Sequence, residues 1–290
     1  MGKIKSMNNP DKFSRDQLKF YFILLPVMVV VALPLIYVVF HAFKPIGELN
    51  SYPPVFVTLS PTLDNFRNLF AISDEFIYPL TLYIFNSITI SVITVILVLI
   101  ICSSAGYVLS KKKFRGSKLI MSANQAALMF VPIAMAIPRF LIIKNIGLYD
   151  NFLVNIFPLL AMPVGVFLVK QFIDQVPPSL IDAAKIDGCS DYGILFKIVI
   201  PAIKPALATV GILAFQISWN TYEASQLFLE SEKLKTFPYF LSSLNLAASG
   251  SPTAQGMAAA ATLILIIPNI VLFIIMQSRV MNTVSHSGIK

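Results

Sequence analysis

The sequence is poor in most of what a soluble enzyme uses. Only 12% of its 290 residues are charged, against about 25% in an ordinary soluble domain, while 57% are hydrophobic and the mean hydropathy is +0.78. That balance excludes a soluble catalytic domain. Cys102 lies inside an apolar run and Cys189 in a polar stretch, so the two cysteines give neither a disulfide framework nor zinc spacing. The two histidines, His41 and His286, are too far apart in sequence to suggest a metal pair. No G-x-x-x-x-G-K-[ST] loop occurs, and Lys3 is the only lysine directly following a glycine, so this chain cannot be a P-loop ATPase. A membrane-bound enzyme would need a nucleophile, base or metal constellation that these residues do not supply. Acidic residues number 14 against 22 basic ones. The basic residues sit in short clusters beside apolar runs, which points to lipid head groups as a partner and away from nucleic acid.

The chain is rich in apolar runs of about 20 residues, the length that crosses roughly 30 Å of hydrocarbon. Six spans are expected: Phe20 to Phe43, Tyr83 to Leu109, Leu119 to Ile143, Phe152 to Val169, Ala206 to Leu227 and Met257 to Met276. The first follows Lys3, Lys5, Lys12, Arg15 and Lys19 without a small-residue cleavage site, and reads as an anchor. Lys111, Lys112, Lys113, Arg115 and Lys118 follow the second span with no acid among them. Positive clusters stay inside, so both these segments, the connection with Lys170, Lys185, Lys197 and Lys204, and both termini are expected in the cytoplasm. The outer segments are then Lys44 to Leu82, a turn around Gly147, and Glu230 to Gly256, the last read as a loop whose length and small, polar Ser249 to Gln255 stretch suit a flexible probe. The domain reading is a cytoplasmic segment at 1–19, one six-helix membrane domain at 20–281, and a cytoplasmic tail at 282–290.

Prolines interrupt the runs at Pro26, Pro34, Pro132, Pro138, Pro158, Pro163 and Pro268. Each removes a donor and crowds the preceding turn, which a membrane helix tolerates only where neighbours or water satisfy the freed carbonyl. Neither half of the chain repeats the other, which weakens a secondary transporter built from internal repeats. A proton- or ion-coupled carrier stays as the alternative reading. It would want ionisable residues deep in several spans, yet Glu223 and Arg139 lie near predicted outer ends.

The connection between the fourth and fifth spans is too regular for a passive link. Pro177 and Pro178 stop the preceding helix, Ser179 can cap a new one, and Asp182 three residues later would complete a capping box. Ala183 and Ala184 give that helix a small-residue face, and Gly188 is placed to end it in a left-handed turn. Ser190 can cap a second helix running through Leu195, Phe196 and Ile200 until Pro201 breaks it. Two short helices with Ile186, Leu195 and Phe196 as apolar anchors make a docking knob for a groove on another protein. An amphipathic loop lying on the membrane is the other reading.

In the fifth span, Gln216, Asn220 and Glu223 recur at spacings of four and three, and so share one helix face beside Trp219 and Tyr222. Polar side chains inside a span either line a pathway or hold the helix to its partners.

The run Asp182, Ala183, Ala184, Lys185, Ile186, Asp187, Gly188, followed after nine residues by Ile198 to Pro201, resembles the EAA loop of ABC importer permeases. The surrounding chain is similar to the MalG-like carbohydrate permease family. It shares Asn86 and Ser87 opening the second span, Tyr107 before the basic loop, Phe172 leading to Pro177 and Pro178, Ser218, Trp219 and Asn220 in the fifth span, and Gln277 near the end of the last. The resemblance runs from about Phe43 to the C-terminus. Asp182 departs from the family's usual glutamate, and Thr221, Tyr222 and Glu223 depart from its exit after the tryptophan-asparagine step.

The resemblance implies an all-α integral membrane protein with the type I ABC importer permease fold. Its coupling loop, at 177–201, would present Asp182, Ala183, Ala184, Asp187, Gly188, Leu195, Phe196 and Pro201 to an ATPase. It further implies a heterodimer with a MalF-like second permease, ABC ATPase subunits that bind ATP and Mg in place of any cofactor of this chain, an extracytoplasmic solute-binding protein, and a carbohydrate as cargo. Gln216, Trp219, Asn220, Tyr222 and Glu223 are the candidate cargo pathway, and the bacterial cell membrane is the expected location.

Overall fold

The computed structural model describes residues 17–49, 51–53, 55–71, 78–248 and 251–287. The predicted basic positions Lys3, Lys5, Lys12 and Arg15, and residues 288–290 of the tail, lie outside the described residues.

The described residues form helices and no strand: α1 (Gln17–Phe43), α2 (Ile46–Leu49), α3 (Asp64–Ala71), α4 (Leu80–Lys111), α5 (Ser117–Ala127), α6 (Ala136–Asn145), α7 (Phe157–Leu160), α8 (Pro163–Asp174), α9 (Pro178–Ile186), α10 (Asp191–Ile194), α11 (Ile200–Ala202), α12 (Lys204–Asn220), α13 (Glu223–Leu227), α14 (Phe237–Ala248) and α15 (Pro252–Ser287). The all-α class expected from the sequence is what the structure has. Among the described residues three helices are long and apolar enough to cross a membrane: Phe20–Phe43, Leu80–Lys111 and Pro252–Met276. Two further stretches qualify only as bent pairs, Phe152–Leu160 with Pro163–Asp174 at 43° and Asp191–Ala202 with Lys204–Leu227 at 85°.

Prolines explain where the predicted spans break. The third, Leu119 to Ile143, is not one helix: α5 stops at Ala127, a 3-10 turn takes Pro132–Met135, and α6 begins at Ala136. Pro132 and Pro138 thus fall in first turns, where a missing N–H costs nothing. The fourth is divided the same way, with Pro158 and Pro163 each in the first two positions of α7 and α8. The fifth starts earlier than expected, at Lys204, and ends at Asn220 because Thr221 is extended, with ψ 131°. Pro26 and Pro34 in α1 and Pro268 in α15 stay inside continuous helices.

The chain divides into two compact units, Met1–Leu69 with Ala248–Leu263, and Phe70–Ala247 with Ile264–Lys290. In the first, the C-terminal end of α1 leaves carbonyls that the helix itself cannot satisfy. The fully buried Asn65 of α3 answers them, its Nδ2 donating to the carbonyls of Ala42 at 3.0 Å and Lys44 at 2.7 Å. Lys44 is itself buried, its ammonium donating to the carbonyl of Val55.

In the second unit α4 is the central helix, packed along α8 and α12. α4 and α8 approach closely because glycines face the partner helix. A Cβ on Gly106 would lie 2.8 Å from Val169 Cγ1, and one on Gly165 2.8 Å from Cys102 Sγ. Small residues at a crossing are how membrane helices gain packing contact without a hydrophobic driving force. The core formed there, with Val98, Cys102, Val169 and Ile173, continues into the loop helices through Ile181, Ala184, Ile194, Leu195 and Val199.

Segments assigned to one side of the membrane by charge also meet in this unit. Tyr83 and Asn86 bond to Glu232 and to the carbonyls of Lys233 and Lys235, and Asp150 binds the backbone of Glu230 and Ser231. At the other end of α4, Ser110, Lys111 and Lys112 bond to Asp174, Val176 and Asp191. The stretch Glu230 to Gly256, read as a loop, instead contains α14, which buries Phe237, Phe240, Leu241 and Leu244. Ser249 and Gly250 lie outside the described residues, and α15 already begins at Pro252. Four apolar side chains on one face of a twelve-residue helix supply the burial that a polar probe would lack.

Candidate functional site: a helix-turn-helix loop and the helix it leads into

Residues 177–203 form two short helices joined by a tight turn. α9 opens with Pro177 at the cap position and Pro178 just inside, and no side chain caps it. The expected capping box is therefore absent, because Ser179 sits inside the first turn. Asp182 instead faces Lys185 at 3.7 Å on the exposed surface. Proline at the first helical position explains the difference: its φ is already helical and it has no N–H to satisfy.

Gly188 ends α9 with φ +81°. The N–H of Cys189 bonds to the carbonyl of Ala184 at 2.9 Å and that of Gly188 to the carbonyl of Lys185 at 3.0 Å, both closing the helix end. This paired pattern is a Schellman motif, and it wants a residue without a Cβ at its left-handed position. Ser190 then caps α10, its Oγ accepting from the N–H of Gly193 at 3.2 Å. The second helix does not end at Pro201. It widens into a π turn over Leu195–Val199 and runs on through Ala202 before the 85° bend into α12. A proline ring crowds the carbonyl four residues back in an α-helix, and the wider turn before Pro201 takes up that crowding.

The loop has an inner and an outer side. Ile181, Ala184, Ile194, Leu195 and Val199 are buried in the core of the chain. Ala184 and Leu195, expected on the docking surface, thus face inward. Ile186 is 87% exposed, Tyr192 79% and Phe196 57%, and Asp182, Ala183, Asp187, Gly188 and Pro201 are also exposed. Three large apolar side chains are thus exposed on the turn and the second helix.

The basic residues after α4 are divided between two tasks. Lys111 donates to the carbonyl of Val176 at 2.7 Å, and Lys112 Nζ lies 2.6 Å from Asp191 Oδ1. The hydrogen bond from Lys112 holds the Asp191 carboxyl below its usual range, and the same bond raises Lys112. Lys113, Arg115 and Lys118 are exposed. The sequence assigned this whole cluster to the membrane surface; the structure gives its first two lysines to the loop.

The fifth-span residues divide as well. Trp219 is buried, stacks on Phe215 at 5.7 Å, and donates from Nε1 to the carbonyl of Leu265 at 2.9 Å beside Pro268. It fastens α12 to α15. Asn220 donates to the carbonyl of Gln216 at 2.7 Å and accepts from Asn269 Nδ2 at 3.1 Å. Glu223 does not share the face of Gln216 and Asn220, since the helix breaks at Thr221; it opens α13 and pairs with Arg139 of α6 at 3.3 Å. Gln216 and Tyr222 are exposed.

Asn86 and Ser87 were legible only as resemblance. In the structure Asn86 donates to two carbonyls, of Lys233 and Lys235, each at 2.9 Å, and Ser87 Oγ accepts from the N–H of Phe237 at 2.8 Å. Asp174 and Asp191 carried no sequence signal at all. Only the fold brings them to the end of α4.

Residues 103–278 match the family described as the binding-protein-dependent transport system inner membrane component. The chain is 30% identical to the sulfoquinovosyl glycerol transport system permease protein of Agrobacterium fabrum over 89% of this chain and 88% of that protein. It is 31% identical to the arabinooligosaccharides transport system permease protein of Halalkalibacterium halodurans, over 89% and 90%. Among solved structures, a chain of a bacterial ABC transporter involved in the import of the acidic polysaccharide alginate superposes with a TM-score of 0.74 at 24% identity, covering 92% of this chain and 98% of that one. The fold is therefore that of the ABC permeases, and the chain belongs to the binding-protein-dependent transport system inner membrane components.

Proposed function

We propose that this chain is one membrane subunit of an ATP-driven importer for a carbohydrate. The observation that carries the reading is the loop at 177–203: a Schellman turn at Gly188 holds Ile186, Tyr192 and Phe196 exposed on a frame buried against α4 and α8. Such a knob fits a groove in an ABC ATPase subunit, and closure of two such subunits on ATP and Mg would swing the spans between inward-open and outward-open forms. The remaining parts are a MalF-like second permease and an extracytoplasmic solute-binding protein. Support for the binding protein comes from an alginate transporter solved with a pentasaccharide-bound periplasmic protein, whose chain has this fold with a TM-score of 0.60.

A carbohydrate cargo is supported by the names of the relatives, which transport sulfoquinovosyl glycerol, arabinooligosaccharides and trehalose. In this chain the exposed Gln216 and Tyr222 and the Asn220–Asn269 amide pair could meet sugar hydroxyls. The chain itself hydrolyses nothing; ATP chemistry belongs to the partner. Six spans with both termini and the knob on the cytoplasmic side of the bacterial cell membrane complete the reading, with Leu119 to Ile143 crossing as a broken span.

The test is isolation of the tagged chain from its native membranes. An ABC ATPase and a second permease should come with it in fixed proportion, and uptake of labelled oligosaccharide should persist when the proton gradient is collapsed. Recovery of the chain alone, with uptake abolished by the collapse, would establish the carrier reading instead.

A further inference from the structure

Among the described residues of its unit, α4 is the one helix that is both long and free of proline, and it is fastened at both ends. Its 32 residues make a rod of about 48 Å at 1.5 Å per residue, while the stretches around it are broken at Pro132, Pro158 and Pro163. At one end three consecutive residues grip the end of α8, the link into α9 and the start of α10. Ser110 Oγ donates to Asp174 Oδ1 at 2.6 Å, Lys111 to the Val176 carbonyl at 2.7 Å, and Lys112 to Asp191 Oδ1 at 2.6 Å. Asp174 is held on its other oxygen by Lys170 at 2.7 Å. The grips fall on the approach to α9 and on the first residue of α10.

At the other end, one turn of α4 grips the segment after α13. Tyr83 donates to Glu232 at 3.2 Å, Asn86 donates to the carbonyls of Lys233 and Lys235, and Ser87 accepts from Phe237. Glu232 also holds Lys235, which donates in turn to Tyr239 at 3.0 Å. Asn86, Ser87, Lys235 and Phe237 are all buried. A buried amide that satisfies two carbonyls cannot slide without leaving both unpaired.

A helix held this way moves as a body, because its own hydrogen bonds are stiff and each end is tied by three side chains. We infer that α4 is a push rod: Ser110, Lys111 and Lys112 take up displacement of the knob, and Tyr83, Asn86 and Ser87 deliver it to the segment Glu232–Phe237 that leads into α14. These six are positioning residues for transport. The inference rests on the reading of the chain as an ATP-driven importer, because the knob must be displaced by something.

The test uses the whole complex in liposomes, with a spin label on a cysteine at the exposed Gln226 and Mg-ATP plus vanadate as the probe. The label should report a change on trapping. Asn86→Leu, with ATPase subunits still bound, should reduce that change by about tenfold, as expected for two buried carbonyls left unpaired. Lys112→Asp and Asp191→Lys alone should each reduce it at least about threefold, and the two together should restore it, since only the exchanged pair remakes the bond. Each variant is scored only with its ATPase subunits bound, so a fault in assembly is told apart from lost transmission. An undiminished response in Asn86→Leu and Lys112→Asp, or an exchange that restores nothing, would overturn the push rod. So would a wild-type complex that holds its ATPases yet gives no change at residue 226. Absence of bound ATPase from the wild type would instead count against the importer reading itself.

Discussion

Gly188 and the two alanines before it separate docking from folding at the level of single side chains. At φ +81° a valine would strain the backbone by roughly 1–2 kcal/mol, and it would open the Schellman turn that joins α9 to α10. Gly188→Val should insert normally, yet lose the ATPase subunit on purification and lose uptake; full ATPase content with normal uptake would sink the docking assignment. Ala184 is 5% exposed and faces the core, whereas Ala183 is exposed. Ala184→Trp overpacks that core and should lower the melting temperature, a destabilisation of about 1–3 kcal/mol. Ala183→Trp should leave melting unchanged and block ATPase binding alone. Asp182→Glu keeps the charge on an exposed, uncapped face, and near-normal uptake is expected. The two alanines look alike in sequence. Which one points inward depends on how α9 is rotated against α4 and α8.

Between elements, the bond from α4 to α10 can be read by pH and salt. Asp191 titrates below its ordinary value because Lys112 donates to it, so its contribution is present above the unfolded carboxylate value of about 3.9 and lost as pH falls through the lowered one. Lys112 titrates above its ordinary value, so its contribution is present below about 10.4 and lost as pH rises through the raised one. Wild type and Asp191→Asn should therefore differ in melting temperature by a constant amount from about pH 5 to pH 9 and converge at both extremes. Both side chains are more than a third exposed, so the difference should be small and should shrink in 1 M salt. A difference that peaks near pH 7 would point to another titrating group.

Across the whole chain, the arrangement in the membrane can be checked from outside the cell. Buried Cys102 can stay, and only Cys189 needs replacing. A cysteine at Lys113 should resist an impermeant maleimide added to intact cells, and one at Ser251 should react. Labelling at position 113 would overturn the cytoplasmic placement of the basic loop. The hydrogen bonds bring together segments that charge gave a common side: Asp150 reaches Ser231, and Asn86 reaches Lys235.

The sequence by itself determined that this chain is apolar and divided into runs long enough to span a membrane, because run length and charge balance are local properties of a sequence. The turn at Gly188 and the cap at Ser190 were legible for the same reason: each is satisfied by atoms within a few residues. Only the tertiary structure decided which side chains of the loop face out, that Trp219 is a fastener, that Glu223 pairs with Arg139, and that Lys111 and Lys112 serve the loop. Their partners lie 46 to 84 residues away, and no local periodicity can encode a contact whose geometry depends on how two distant helices cross.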